Sequence, residues 1–133
     1  MKRCMAAIVI MMIIVAGVIT WNAVGMAVSA PASPPADVTA TPIGSSEVQL
    51  TWVPPAHATR YTIWRITGRS SWHDRFNGSS TLYTVSAVSG TTYTDTGVNP
   101  NTTYTYWVQP YANVLVGGDE NGPHSAGVTI TMP

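Results

Sequence analysis

Short runs of β-forming residues, separated by Gly, Pro, Asn and Ser, fill the chain after Ala36. Thr, Val, Tyr and Trp dominate these runs, in which apolar and polar side chains alternate with the two-residue period of a strand. None of this region has the 3.6-residue period of an amphipathic helix. Seven such runs predict an all-β fold in which two sheets pack face to face around a shared core.

The alternation within the runs also predicts which side chains face inward. The predicted strands span residues 38–41, 48–53, 60–66, 82–88, 91–94, 102–111 and 128–131. Residues 68–80 and 117–123 are predicted loops, the first of them longer and more aromatic than a plain hairpin. We expect the core to include Trp52, Tyr61, Tyr93, Tyr104 and Tyr106.

The N-terminal residues have the order of an export signal. Lys2 and Arg3 precede an apolar run, residues 5–19, and small residues end the segment at Ala30. This order predicts a signal peptide over residues 1–30, cleaved after Ala30 or, as a second choice, after Ala27. An uncleaved membrane-anchor helix is the alternative, because the apolar stretch approaches the length of a membrane span. The sequence also predicts that residues 31–36 form a Pro-rich linker to a domain at residues 37–133.

Charge and cysteine content exclude several classes of partner and cofactor. After residue 30 the chain contains four arginines and no lysine against six acidic residues, a net charge of −2. Such a domain lacks the basic surface that phosphate backbones require, so nucleic acid is not an expected partner. Cys4, which precedes the apolar run, is the single cysteine, so a domain at 37–133 forms no disulfide or thiolate metal site.

The order and spacing of several segments resemble fibronectin type III domains over residues 34–133. Residues 48–55 are similar to a family strand that ends in Trp and prolines, and Tyr61 with Ile63 resembles the next strand. Residues 93–108 are the most specific segment and resemble the bacterial form of the family. The residues that carry this likeness are Tyr93, Asp95, Gly97, Val98, Pro100, Thr102, Tyr104, Tyr106 and Val108.

This resemblance implies a seven-stranded immunoglobulin-like β-sandwich, following the N-terminal signal or anchor helix. It places Tyr104 at the tyrosine corner, where a buried ring bonds to the upstream backbone. Asp95 is expected to cap the turn at Gly97 through its side chain. In bacteria, domains of this family often accompany polysaccharide-degrading enzymes or surface proteins.

Catalytic chemistry has little support in the sequence. The candidate residues are His57, His73, His124, Asp74, Asp119 and Glu120. The histidines lack the short spacings of metal sites, and an enzyme would require His73 and Asp74 to converge with a third residue. We predict no catalytic, cofactor or metal residues. Calcium at Asp119 and Glu120 is an open alternative to two solvated acids.

Aromatic residues suggest a contact surface instead. If Tyr61 and Ile63 face inward on one strand and Tyr104, Tyr106 and Val108 on the other, Trp64 and Trp107 face outward, on strands that the family pairs side by side. We predict a binding surface of Trp64, Trp107, Thr62 and Gln109, with Trp72 from the loop. The alternative is that these rings pair across strands or are covered by residues 68–80.

These observations predict a non-catalytic extracellular binding or adhesion module for a protein or a carbohydrate. The domain would be secreted or held in the cell envelope, and it would meet a membrane only through an uncleaved N-terminal segment. A structural spacer anchored by the N-terminal helix is the alternative, and an accessory protein of a hydrolase is a third.

Overall fold

The structure, a computed structural model, describes residues 10–15, 18–23, 30–76, 82–114 and 118–133. One 3₁₀ helix, Trp72–Phe76, and ten strands are formed within these ranges. The strands are β1 (Ile10–Val15), β2 (Val18–Ala23), β3 (Ala36–Ile43), β4 (Glu47–Val53), β5 (Arg60–Thr67), β6 (Leu82–Val88), β7 (Thr92–Asp95), β8 (Thr103–Val114), β9 (Gly118–Asn121) and β10 (Val128–Thr131).

Two antiparallel sheets built from β3 to β10 form a β-sandwich, which confirms the predicted fold class. The first sheet has the order β3-β4-β7, and the second has the order β10-β8-β5-β6. Strand β9 also pairs with β8, at residues 111–114, whereas β10 pairs with residues 103–106. The two strands are therefore pieces of one edge, separated by residues 122–127, which brings the count to the seven strands of the family.

One predicted loop contains a strand. Residues 118–121 lie within the loop predicted at 117–123, yet they form β9. The reason is that β8 extends to Val114, beyond its predicted end, and its last residues supply the ladder partners of β9. A local sequence pattern cannot reveal a partner that lies elsewhere in the chain.

The core lies between the sheets and includes four of the five predicted core aromatics, Trp52, Tyr61, Tyr104 and Tyr106. Its fully or nearly fully buried members are Val48, Leu50, Trp52, Tyr61, Ile63, Val98, Tyr104, Tyr106, Val108 and Met132. Trp52 and Tyr61 meet edge to face with ring centroids 5.0 Å apart. Each large apolar side chain contributes about 1.5–3 kcal/mol by leaving water, so the period-2 pattern accounts for the packing of the two sheets.

Apolar strands β1 and β2 pair with each other and with no other described strand. They fall within the segment for which the sequence predicts a signal or anchor helix, and that helix stays a prediction. Ile and Val are β-branched and favour strands where no bilayer imposes a helix. No helix among the described residues is long and apolar enough to cross a membrane. Cleavage of the segment stays a prediction.

The predicted Pro-rich linker packs on the sandwich at two of its prolines. Pro31 and Pro35 are buried, and β3 begins at Ala36. A Cβ added to Gly122 would lie 2.6 Å from the carbonyl oxygen of Pro31, so the absence of a side chain at Gly122 permits this contact. The segment is therefore docked on the domain at its first residue.

Candidate functional site

The candidate site is on the outer face of the larger sheet, opposite the core. Strands β5 and β8 run side by side there in antiparallel register, and alternate residues of each point outward. The register pairs Thr62 with Gln109, Trp64 with Trp107, and Ile66 with Thr105. The sequence-predicted neighbours Trp64, Trp107, Thr62 and Gln109 are thus brought together.

A cover over this face is formed by the segment that follows β5. The hydroxyl of Thr105 donates to the carbonyl oxygen of Gly68 at 2.7 Å, and the backbone N–H of Ser70 donates to the same hydroxyl at 3.3 Å. The Asp74 carboxylate accepts hydrogen bonds from the backbone and the side chain of Ser71, at 2.6 and 2.8 Å. These bonds fix the start of the 3₁₀ helix and with it the position of Trp72.

Trp72 lies at the centre of an aromatic group. Its ring meets Trp64 and Trp107 edge to face, with centroids 5.6 and 5.7 Å away. The imidazole of His124 stacks on it at 3.7 Å, with an interplanar angle of 23°. We call Trp64, Trp72, Trp107, Gln109 and His124 the outer-face cluster.

Burial within the cluster corrects one expectation from the sequence. Trp107 does point away from the core, but it is only 2% exposed, and Thr62 is only 9% exposed. The cover has turned this part of the sheet face into a second small core, which also buries Ile66. Trp64, Trp72, Gln109 and His124 remain half-buried. The predicted exposure of Trp107 is therefore wrong, and the alternative of a covering loop accounts for it.

Gly127 shows how closely the cover fits over Trp107. A Cβ at this glycine would lie 2.9 Å from the indole nitrogen of Trp107 and 3.3 Å from the side chain of Thr105. Any other residue would have to displace the buried indole or the backbone that carries it. The segment between β9 and β10 thus closes the second side of the cover.

Polar contacts fix the rim of the outer-face cluster. The indole N–H of Trp64 donates to Oε1 of Gln109 at 3.2 Å, and Nε2 of Gln109 donates to the carbonyl oxygen of Gly122 at 3.1 Å. Nδ1 of His124 is 2.7 Å from the carbonyl oxygen of Ser125, and because a carbonyl only accepts, this nitrogen is the donor. The sequence analysis missed His124 as a member, since nothing near it in sequence indicates Trp72.

A buried ionic network connects the two sheets. Nη1 of Arg65 in β5 donates to Oδ2 of Asp95 in β7 at 2.6 Å and to the carbonyl oxygen of Gly97 at 3.1 Å. The hydroxyl of Tyr106 donates to the same Oδ2 at 2.9 Å. Oδ1 of Asp95 accepts the Gly97 N–H at 2.9 Å, which confirms the predicted turn cap. The guanidinium of Arg65 also lies 4.3 Å from the centroid of the Tyr83 ring.

The electrostatics of the network keep its groups in the protonation states that bind. Burial raises the pKa of the Tyr106 hydroxyl above its ordinary value, and the nearby charge of Asp95 raises it further. Burial lowers the pKa of the Arg65 guanidinium, but the hydrogen bond and charge of Asp95 outweigh this and raise it overall. At neutral pH, Tyr106 therefore stays a donor and Arg65 stays a cation.

Tyr104 has the geometry of a tyrosine corner. The residue is 3% exposed, and its hydroxyl oxygen accepts the backbone N–H of Asn99 at 2.9 Å. Tyr93, also expected in the core, is half-buried, with its hydroxyl 3.4 Å from that of Tyr83. Both contacts lie near the Arg65 network, at the side of the sandwich where β6 and β7 approach each other.

Three of the titratable residues considered for catalysis, His73, Asp74 and His124, lie in the two segments of the cover, and His57 lies in the loop before β5. His57 and His73 are exposed, Asp74 binds Ser71, and His124 stacks on Trp72. Within the part of the chain that the structure describes, no three His, Cys, Asp or Glu residues are grouped as metal ligands would be. The Asp119 side chain falls outside the described residues, so calcium binding there stays untested.

Comparisons with known proteins agree with this architecture. The family model for the fibronectin type III domain matches residues 33–129. The chicken CNTN1 FN1–FN3 structure is similar with a TM-score of 0.58 and 21% identity, over 77% of this chain and 31% of that one. The third fibronectin III domain of human KIAA0343 gives 0.59 and 21%, over 77% of this chain and 83% of that one.

The FN5 domain of Drosophila Lar is also similar, with a TM-score of 0.53 and 25% identity, over 77% of this chain and 97% of that one. No curated protein matches the sequence. Domains of the matched family are usually non-catalytic and commonly serve in binding or adhesion. The family match covers most of the chain and the two-sheet topology agrees with it, so this chain belongs to the fibronectin type III domain family.

Proposed function

We propose that this domain is a non-catalytic, extracellular binding or adhesion module, and that it contacts a protein partner through the half-buried part of the outer-face cluster. That part consists of Trp64, Trp72, Gln109 and His124, and we call it the aromatic patch. The observation that supports the proposal is the stack of His124 on Trp72 above two further tryptophans. Few residue types contribute as much to protein contacts as tryptophan held in one orientation.

The geometry of the aromatic patch favours a protein over a polysaccharide. A flat sugar ring stacks on an open aromatic face, whereas Trp72 carries His124 at 3.7 Å and meets two other indoles. The aromatic patch combines the packed rings of Trp64, Trp72 and His124 with the amide of Gln109, which binds Trp64, an arrangement typical of an interface centre with a polar rim. A net charge of −2 without lysine after residue 30 argues against nucleic acid.

The experiment measures binding of the domain to extracellular proteins and to a panel of polysaccharides. Trp72→Ala is the test variant, because Trp107→Ala would remove a buried side chain and confound binding with unfolding. Val53→Ala is the matched control, since Val53 is 50% exposed on β4, in the other sheet. We expect Trp72→Ala to weaken protein binding by about tenfold or more, the loss typical of an interface hot spot.

A folded Trp72→Ala variant that binds its protein partner as tightly as Val53→Ala would refute the assignment of the aromatic patch as the binding surface. Binding to a polysaccharide alone, lost in Trp72→Ala, would move the proposal from protein to carbohydrate. Far-ultraviolet circular dichroism and the urea midpoint of each variant establish that the sandwich is intact before the affinities are compared.

A structural spacer or envelope component held by the N-terminal segment is the second candidate. The apolar character of residues 10–23 favours it, since such a segment is suited to a membrane if it is retained. Sequencing the N-terminus of the exported protein separates the two candidates. A mature protein that starts at Pro31 rules out anchoring, and a retained segment supports it.

A further inference from the structure

Two of the six tyrosines of this chain are accessible to solvent, and these two are in contact with each other. Tyr83 in β6 is 36% exposed, and Tyr93 in β7 is half-buried. Their hydroxyl oxygens lie 3.4 Å apart. The other four tyrosines are at most 9% exposed, and they are Tyr61, Tyr104, Tyr106 and Tyr111. An oxidant in solution that attacks tyrosine therefore meets a pair of phenols.

The pair lies where the two sheets of the sandwich end. Strand β6 is the last strand of the larger sheet, and β7 is the last strand of the smaller one. Tyr83 lies opposite Arg65 in the ladder with β5, and Tyr93 lies opposite Leu50 in the ladder with β4. The Arg65 guanidinium packs on the Tyr83 ring, 4.3 Å from its centroid. Each sheet thus contributes one phenol to the contact.

A covalent bond at this place would do what a disulfide does in many small extracellular domains. Residues 31–133 contain no cysteine, so oxidation cannot join the two sheets through sulfur. Tyrosine is another side chain that oxidants join in pairs, through a bond between the ring carbons next to the hydroxyls. The contact between Tyr83 and Tyr93 provides the two rings for such a bond.

We infer that Tyr83 and Tyr93 are a site of oxidative cross-linking, at which hydrogen peroxide and a haem peroxidase join the two rings into dityrosine. The peroxidase removes one hydrogen atom from each hydroxyl and leaves two phenoxyl radicals. The radicals form one carbon–carbon bond between the positions next to the hydroxyls, and the hydrogen on each of these carbons then moves to its oxygen. The two rings lose two hydrogen atoms in all, and one peroxide is reduced to two waters.

The hydroxyl contact is close to the arrangement of the product. In dityrosine the new bond joins the carbons beside the hydroxyls, so the two hydroxyl groups stay next to each other. The rings have to turn about their side-chain bonds to bring these carbons together, and Tyr83 is exposed enough to turn. Because the fold holds the two rings together, coupling within one molecule should outrun coupling between two molecules in dilute solution.

The experiment treats the purified protein, as recovered from cells, with hydrogen peroxide and a haem peroxidase in dilute solution. We expect dityrosine fluorescence to appear without a cross-linked dimer on a denaturing gel. Elastase, which cuts after small residues such as Ala87, should then release Tyr83 and Tyr93 in two peptides joined to each other. The joined peptides should weigh two hydrogen atoms less than the sum of the separate peptides.

Matched variants assign the product to this pair. Tyr83→Phe and Tyr93→Phe each remove one phenol and should abolish the joined peptides. Tyr111→Phe is the control, because Tyr111 is only 9% exposed and its replacement should leave the product unchanged. N-acetyltyrosine in a parallel reaction establishes that the oxidant is active. The bond joins residues ten apart in sequence, so it should raise the urea midpoint by restricting the unfolded chain, as a disulfide does.

Three results would overturn the inference. The first is a wild-type protein without dityrosine under conditions in which N-acetyltyrosine reacts. The second is a product that persists in Tyr93→Phe, and the third is cross-linking between molecules only. A cross-linked protein with an unchanged urea midpoint would show that the bond does not staple the sheets.

Discussion

Replacing Asp95 by asparagine isolates the contribution of the buried ionic network to stability. The asparagine side chain keeps the shape of the aspartate. Its carbonyl oxygen can still accept the Gly97 N–H, which in the wild-type protein lies 2.9 Å from Oδ1 of Asp95. The new amide would direct a donor at Nη1 of Arg65, which is now 2.6 Å from Oδ2. A buried guanidinium is therefore left without the anion that compensates its desolvation.

The size of the expected stability loss follows from the burial of the Arg65–Asp95 ion pair. Asp95 is 1% exposed and Arg65 is 9% exposed, so solvent screens little of their interaction. Removing one partner of a buried ion pair costs about 3–5 kcal/mol, a large part of the 5–15 kcal/mol that holds a typical domain folded. Tyr106 can rotate its hydroxyl to accept from the new amide, which places the expected loss near the lower end of that range.

Urea unfolding at neutral pH measures the loss for Asp95→Asn, for Arg65→Met and for the double variant. Asp37→Asn is the control, because Asp37 is an exposed carboxylate and its replacement should change stability by less than about 0.5 kcal/mol. We expect the double variant to lose less than the two single variants combined, with a coupling of about 1–3 kcal/mol. A loss in Asp95→Asn no larger than in the control, or simple additivity, would refute the reasoning.

Three further predictions concern the cover, the corner and the network. Gly127→Ala should lower the free energy of unfolding by about 1–3 kcal/mol because its Cβ collides with the Trp107 indole; an unchanged urea midpoint would contradict the tight cover. Tyr104→Phe should cost about 1 kcal/mol through loss of its hydrogen bond to the backbone, and a neutral result in the same assay would mean that the bond contributes nothing. The pKa of Tyr106 is raised in the folded state, so its contribution to stability is complete below the ordinary tyrosine pKa of about 10 and is lost as pH rises towards the folded-state value. Stability measured from about pH 9 to 11.5 should fall less steeply in Tyr106→Phe, and identical slopes would contradict this.

The sandwich and its core could be predicted because their determinants are local. Alternation along β4, β5 and β8 places Leu50, Ile63 and Val108 inside whatever the tertiary details, since a one-residue shift would move every side chain of a strand to the wrong face. The capping of the Gly97 turn by Asp95 can likewise be predicted from the sequence, because the two residues are only two positions apart.

The covered face and the ionic network depend on contacts between distant residues. Trp72, which follows β5, meets His124, which follows β9, and Arg65 meets Asp95 from 30 residues away. Residues 68–76 have no periodicity that indicates which face they cover, so the alternation predicts the outward direction of Trp107 but not its burial. The secondary structure of the apolar N-terminal residues cannot be predicted from local sequence either. A run of Ile and Val suits a strand or a membrane helix, according to its surroundings.

The docking of Pro31 gives the domain a defined point of attachment. Pro31 packs against Gly122, whose carbonyl oxygen accepts the Gln109 amide, so the polypeptide enters the sandwich next to the aromatic patch. A segment joined ahead of Pro31 therefore starts on that side of the molecule, and under the proposed function it would compete for space with an incoming partner. If residues 1–30 are cleaved, as the sequence predicts, their removal would also clear the approach to the aromatic patch that we propose as the contact surface.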